Sequence, residues 1–270
     1  MLRTRVLVAL FGVPLGVGLI ILGSPYYSVA LGLVALAALH EYYTLVRPYR
    51  PNLLVGYLLA AGALTATHFY GLPGLAGALS AGIFLLFLWG VGGPIGDHLV
   101  GRMAVTAFGV VWIVTGVAHL LLVRGLEHGM SLTLLVVGAT WTSDTGAYAV
   151  GRLMGKRAMA PRISPKKTVE GAVGGIIGAI LFALAVKIYS PWLPVREALI
   201  LGLAIGVLGQ WGDLFESMVK RDLGRKDSGR ILPGHGGMLD RFDSLLFASI
   251  AAYWGAVLLL ADVTLGGGAP

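Results

Sequence analysis

No cysteine occurs among the 270 residues. Disulfides, thiolate metal sites and cysteine nucleophiles are therefore excluded, and cysteine usage says nothing about the redox compartment. Charge is also scarce: Asp, Glu, Lys and Arg make up 12% of the chain, where a soluble domain carries roughly 25%. Acids are the rarer sign, 13 against 20 Lys and Arg. No long-range internal repeat is visible, so the inverted-repeat signature of many secondary transporters is missing.

What fills the chain instead is apolar, 57% of all residues. Apolar runs of bilayer-spanning length recur at roughly 5–23, 26–46, 53–70, 73–91, 103–123, 131–151, 170–189, 197–217 and 242–262. These predict an all-α, polytopic integral membrane protein of about nine transmembrane helices. About four spans fall in an N-terminal region, 1–100. A C-terminal catalytic region, 101–270, carries two long polar loops, 152–169 and 218–241. The first run follows Arg3 and Arg5 like a secretory signal, but its length and the spans after it predict a retained helix.

The net charge of +7 raises nucleic acid as a partner. In a membrane protein, however, bases first orient the chain and meet anionic lipid heads, so nucleic acid is excluded as a partner. With a cytoplasmic N-terminus, 17 of the 20 bases fall in cytoplasmic segments, leaving only Arg124, Lys187 and Arg196 outside. This bias predicts a protein of the inner (plasma) membrane with both polar loops facing the cytoplasm, where soluble nucleotides are. Glycines at close-packing spacing, as in GAVGGIIG (171–178) and at Gly202 and Gly206, predict helix backbones in near contact.

The rare acids locate the chemistry. Glu41, Asp144, Asp213 and Glu216 lie in or near apolar spans, where an ionised carboxylate needs a partner, a metal or water. Asp144 falls roughly 10 Å inside its span at 1.5 Å per residue, which favours a polar cavity. Glu41, beside His40 and near Arg47, reads equally well as an interfacial ion pair. Asp213 and Glu216 share one helix face, and Asp240 and Asp243 repeat that spacing where the last span begins. Between the pairs runs KRDLGRKDSGRILPGHGG (220–237). Its glycines let backbone amides approach an anion, and Lys220, Arg221, Lys226 and Arg230 supply positive charge. Oxygen ligands beside a polyphosphate favour Mg²⁺ over zinc. His235 is open to three readings: general base, phosphate donor, or a residue that shapes the loop.

The run SMVKRDLGRKDSGRILPGHGGMLDRFD, Ser217 to Asp243, resembles the signature of the phosphatidate cytidylyltransferases, or CDP-diacylglycerol synthases, with no departure from that pattern. SPKKTVEG (164–171) and Asp144 in WTSDTGAYAVGR (141–152) resemble segments that the family carries upstream. The motifs cover the C-terminal half, whereas the first 100 residues match in hydropathy alone. The resemblance implies transfer of CMP from CTP to phosphatidic acid, giving CDP-diacylglycerol and pyrophosphate with Mg²⁺. It implies Asp213 and Asp240 as metal ligands and the SPKK segment as part of the nucleotide or phosphate site.

On this reading Lys226 and His235 join the two aspartates in catalysis. Asp144, Ser164, Lys166, Lys167, Lys220, Arg221, Arg230 and Arg241 bind substrate. Partners are CTP, phosphatidic acid and membrane lipids, with a second copy of the chain as a candidate. Two other classes would use similar parts: a CTP-dependent lipid kinase of the polyprenol type, which transfers the γ-phosphoryl group, and a cation-coupled transporter. The compact DGxxAR motif of the CDP-alcohol phosphotransferases is absent.

Overall fold

The computed structural model describes residues 2–92, 98–229, 231 and 236–260, with the backbone alone for residues 2–9. Its helices are α1 (Leu2–Leu22), α2 (Tyr26–Leu45), α3 (Leu53–Val91), α4 (Leu99–Gly109), α5 (Thr115–Gly125), α6 (Gly129–Met154), α7 (Val169–Ile188), α8 (Val195–Asp222) and α9 (Leu239–Leu259). A π turn at Val110–Val114 joins α4 to α5. Among the described residues, six helical stretches are long and apolar enough to cross a membrane. In hydrocarbon every backbone N–H and C=O must bond within the protein, and long helices meet that demand locally. The chain is thus an all-α integral membrane protein.

One of the six stretches, α3, is not straight. Gly71 leaves helical geometry at φ 63°, ψ −144°, a left-handed conformation that glycine adopts at little cost. A Cβ on Gly82 would lie 3.0 Å from Leu59 Cδ2, although residues this far apart on a straight helix stand roughly 35 Å apart at 1.5 Å per residue. The chain therefore folds back at Gly71, with Pro73 just after the bend.

The chain divides into two compact units. The first comprises Met1–Leu122 with Leu223–Arg241, and the second Val123–Asp222 with Phe242–Pro270. In the first, Tyr43 donates its hydroxyl to Thr106 O at 2.9 Å and Tyr42 donates to Val105 O at 3.1 Å. Both bonds tie α2 to α4. Asn52 caps α3 by accepting from Val55 N at 3.1 Å, and its own N–H reaches Thr106 Oγ1 at 2.9 Å. Phe108 and Trp112 pack around Tyr42 with ring centroids about 6 Å apart.

In the second unit α6 and α7 meet backbone to backbone. A Cβ at Gly175 would lie 2.8 Å from Ser143 O, and one at Gly178 would lie 2.8 Å from Thr142 O. Gly202 and Gly206 give α8 the same close approach to Ile180 and Ile176 of α7. The segment 152–169, expected as a polar loop, holds a small antiparallel hairpin of β1 (Ala158–Ala160) and β2 (Ser164–Thr168), in register Ala158↔Thr168 and Ala160↔Ser164. Its brevity and the prolines at 161 and 165 hid it from the pattern of the sequence. Arg221 Nε donates to Ile163 O at 3.2 Å, fastening the hairpin to the end of α8.

This packing predicts opposite responses to added methyl groups. Gly178→Ala should lower thermal stability in detergent by about 1–3 kcal/mol, because the methyl group meets a backbone carbonyl that cannot retreat. Gly62→Ala, in α3 with nothing within 4 Å of the new carbon, should be neutral or stabilising by up to about 1 kcal/mol. Equal effects at the two positions would contradict the close α6–α7 contact.

Candidate active site

Within the second unit a cavity of 380 Å³ opens between α6, β2, α7 and α8. The C-terminal half of α6 contributes Asp144, Tyr148 and Arg152, β2 contributes Lys166, Lys167 and Thr168, and α8 contributes Gln210 and Asp213. Gly171 and Ala172, at the start of α7, form its floor. Four residues singled out from the sequence, Asp144, Lys166, Lys167 and Asp213, are thus brought to one cavity. Asp144 is exposed rather than sealed among apolar side chains, as a carboxylate inside an apolar span requires.

Thr168 ends β2 and caps α7, its Oγ1 accepting from Gly171 N at 3.1 Å. Glu170, one residue into α7, accepts from Lys156 N at 3.0 Å and Arg157 N at 3.2 Å. These bonds fix the register of β2 and so the place of its lysines. Lys167 forms an ion pair with Asp213, both side chains about one-third exposed. Gln210 donates to Ala172 O at 2.9 Å, holding α8 against α7 one turn before Asp213.

One turn further along α8, Glu216 is fully buried and pairs with Lys220 at 2.9 Å. Asp243 of α9 lies beside Glu216 and close enough to Asp213 to feel its charge. Gly212 lets α9 come this close: a Cβ there would lie 2.5 Å from Asp243 O. Asp213, Glu216 and Asp243 thus lie near one another, the first paired with Lys167 and the second with Lys220, and carboxylate oxygens are the ligands a hard cation takes. Among the described residues no three acidic or histidine side chains form a ready metal cage. Mg²⁺ asks for none, since it takes one or two carboxylates and completes its shell with phosphate and water oxygens.

In the first unit, Asp240 opens α9 and faces back into the preceding loop. Its oxygens accept from Gly237 N at 2.8 Å and from Ser228 N at 3.1 and 3.2 Å. Gly236 adopts φ +85°, and a Cβ there would lie 2.9 Å from Asp240 Oδ2. The amide of Gly237, one of the glycines expected to let the backbone approach a bound anion, therefore serves, with that of Ser228, a carboxylate of the chain itself. For Glu41 the sequence left an interfacial pair open, and the pair does not form. Glu41 pairs with neither His40, which bonds Tyr57 at 2.7 Å, nor Arg47, and instead accepts from Ser228 Oγ at 3.2 Å and Leu239 N at 2.9 Å.

The remaining candidates do not line this cavity among the described residues. Lys226 and Arg241 are exposed in the first unit. Ser164, Lys220 and Arg221 belong to the second but do not line the cavity. Arg230 and His235 lie outside the described residues. Sequence reasoning passed over Tyr148, Arg152 and Gln210. The signal was present: Tyr148 and Arg152 follow Asp144 at intervals of four, on one helix face, and Gln210 precedes Asp213 by three. Arg152 Nη1 donates to Tyr148 Oη at 3.1 Å.

The pattern of the Cytidylyltransferase family matches residues 3–259. A phosphatidate cytidylyltransferase of Synechocystis sp. is 34% identical, with 95% of this chain and 97% of the relative covered. A phosphatidate cytidylyltransferase of Bacillus subtilis is 45% identical over 49% of this chain and 50% of its own. The uncharacterized protein YnbB of Escherichia coli is 36% identical over 80% of this chain and 74% of its own.

The Lys167–Asp213 pair is open to solvent at the cavity wall, so its stabilising effect should be small. A double-mutant cycle with Lys167→Met and Asp213→Asn, followed by thermal unfolding in detergent, should give a coupling of about 0.2–1 kcal/mol. A coupling above about 3 kcal/mol would place the pair in a sealed core and argue against an accessible charged cavity.

Proposed function

The chain belongs to the Cytidylyltransferase family, and we infer that it transfers CMP from CTP to phosphatidic acid, leaving CDP-diacylglycerol in the bilayer and releasing pyrophosphate. The observation that carries the reaction is the match to the Synechocystis phosphatidate cytidylyltransferase over nearly the whole of both chains. The cavity of Asp144, Lys166, Lys167 and Asp213 supports its location.

A phosphatidate oxygen attacks the α-phosphorus of CTP. The new P–O bond forms as the bond from that phosphorus to the β-phosphate oxygen breaks, and the electron pair departs with pyrophosphate. Both reactants are anionic, so the enzyme's task is to neutralise charge and hold the two in line. A phosphate nucleophile is already ionised at neutral pH and needs little help from a general base. Lys166 and Lys167 offset charge on the polyphosphate, and the same role is proposed for Lys226 and Arg230. Arg152, beside Tyr148 on the exposed face of α6, is suited to a phosphate group by its planar guanidinium. Asp213 and Asp240 are the residues that would hold Mg²⁺, and a bound Mg²⁺ would supply positive charge to offset that of the phosphoryl oxygens.

The topology we propose has nine spans and a cytoplasmic N-terminus, with the site on the cytoplasmic side. The break at Gly71 supports two spans within α3, α1 and α6 complete the count, and the uneven distribution of bases supports the orientation. Membrane lipid and a second copy of the chain are the proposed neighbours of its apolar exterior, where Phe84, Phe87 and Leu88 are 61–70% exposed.

Lysines that contact CTP behave differently from lysines that only touch lipid heads. Lys166→Gln and Lys167→Gln should each reduce kcat/KM for CTP at least about tenfold, since a lost charge-assisted hydrogen bond costs roughly 1.5–3 kcal/mol. The loss should persist with phosphatidate saturating in neutral detergent micelles as well as in anionic vesicles. A defect confined to anionic vesicles would move both lysines out of the site.

A further inference from the structure

Glu41 is a buried acid that the reaction does not use. It lies in α2 and is 2% exposed, and a buried acid that did nothing would be destabilising. Its Oε2 is a common acceptor for both ends of the loop that precedes α9, taking the hydroxyl of Ser228 at the entry and the N–H of Leu239 at the exit. The loop is shaped to it. Side-chain carbons added at Gly229 or Gly237 would each run into the Glu41 carboxylate, and the one at Gly237 into Ser228 Oγ as well. Glu41 Oε1 is buried with no hydrogen-bond partner, so among the described residues its hold on the loop runs through Oε2.

Ser228 makes this arrangement consequential. Its hydroxyl goes to Glu41 while its backbone N–H goes to Asp240, and Gly237, packed against Glu41, also gives its N–H to Asp240. Two carboxylates, one from α2 and one from the start of α9, thus share the same two points of the loop. We propose that Glu41 is a positioning residue of the reaction: it pins the loop at Ser228 and Leu239 and thereby fixes the orientation of the Asp240 carboxylate. The inference rests on the reading above, in which Asp240 serves the chemistry. It gives the N-terminal region, where no motif was visible, a part in placing Asp240.

Replacing the acceptor tests this. Glu41→Leu fills the space in α2 with an apolar side chain and leaves Ser228 and Leu239 without their acceptor, whereas Glu41→Gln keeps an oxygen where Oε2 stands. Amide hydrogen exchange and steady-state kinetics are to be measured on the full-length protein in micelles. In Glu41→Leu, exchange across 228–239 should rise and kcat fall, each at least about tenfold, as expected when buried donors are left unmade and a segment opens locally. Exchange in the α6 and α7 peptides, and KM for phosphatidate within about twofold, should stay as in the parent, since additivity holds away from the perturbed site. Glu41→Gln should remain near the parent in both readouts.

Should Glu41→Leu fail to fold, Ser228→Ala and Gly237→Ala perturb the same contact from the loop side and should show the same pattern. Unchanged exchange across 228–239, or a Gln variant as impaired as the Leu variant, would overturn the proposal. A failure of the underlying reading is distinguishable: Asp240→Asn would then be fully active, whatever Glu41 does to loop exchange.

Discussion

A charge carried into an apolar helical bundle must be met by a partner, and this requirement organises the molecule. Thirteen acids serve 270 residues, and those inside the helices are answered locally. Asp213 meets Lys167, Glu216 meets Lys220, and Glu41 gathers Ser228 and Leu239. Desolvating an ion costs several kcal/mol unless geometry and hydrogen bonds offset it. The helices are therefore arranged where the charges can find one another. The close α6–α7 seam brings β2 and its lysines to α8, and the glycines at 229 and 237 let a loop reach a carboxylate in α2.

Glycine serves two physical ends here. In the seam it lets backbones touch, which supplies the dispersion contact that holds helices together where no hydrophobic effect acts between them and lipid. Beside Glu41 and Asp240 it removes the side chain that would otherwise stand between an amide and an oxygen. Both uses put rigid backbone near charge. That suits a reaction whose barrier comes from bringing two anions together and whose catalysis depends on groups fixed before the substrates arrive.

Much of this was legible in the sequence. Long apolar runs with few charges mark a membrane protein because hydrocarbon admits little else. Asp144 and Asp213 stand out because a carboxylate in such a run needs a reason. GAVGGIIG announces close packing by its spacing. The β-hairpin was not legible, since strands of three and five residues broken by proline carry no period. The partners of Glu41 were not legible because they lie 187 and 198 residues away, beyond any local pattern. The service of Ser228 and Gly237 amides to Asp240 was missed for a related reason: a glycine-rich loop signals an anion nearby, but not whether that anion is a ligand or the chain itself.

The central claim is that the α-phosphorus of CTP goes to the lipid. Purified protein given phosphatidate, Mg²⁺ and CTP labelled at the α-phosphorus tests it directly. The account predicts that label passes into the lipid phase with one pyrophosphate released for each labelled lipid formed. Label retained in water-soluble CDP, with the γ-phosphoryl group on the lipid, would contradict it.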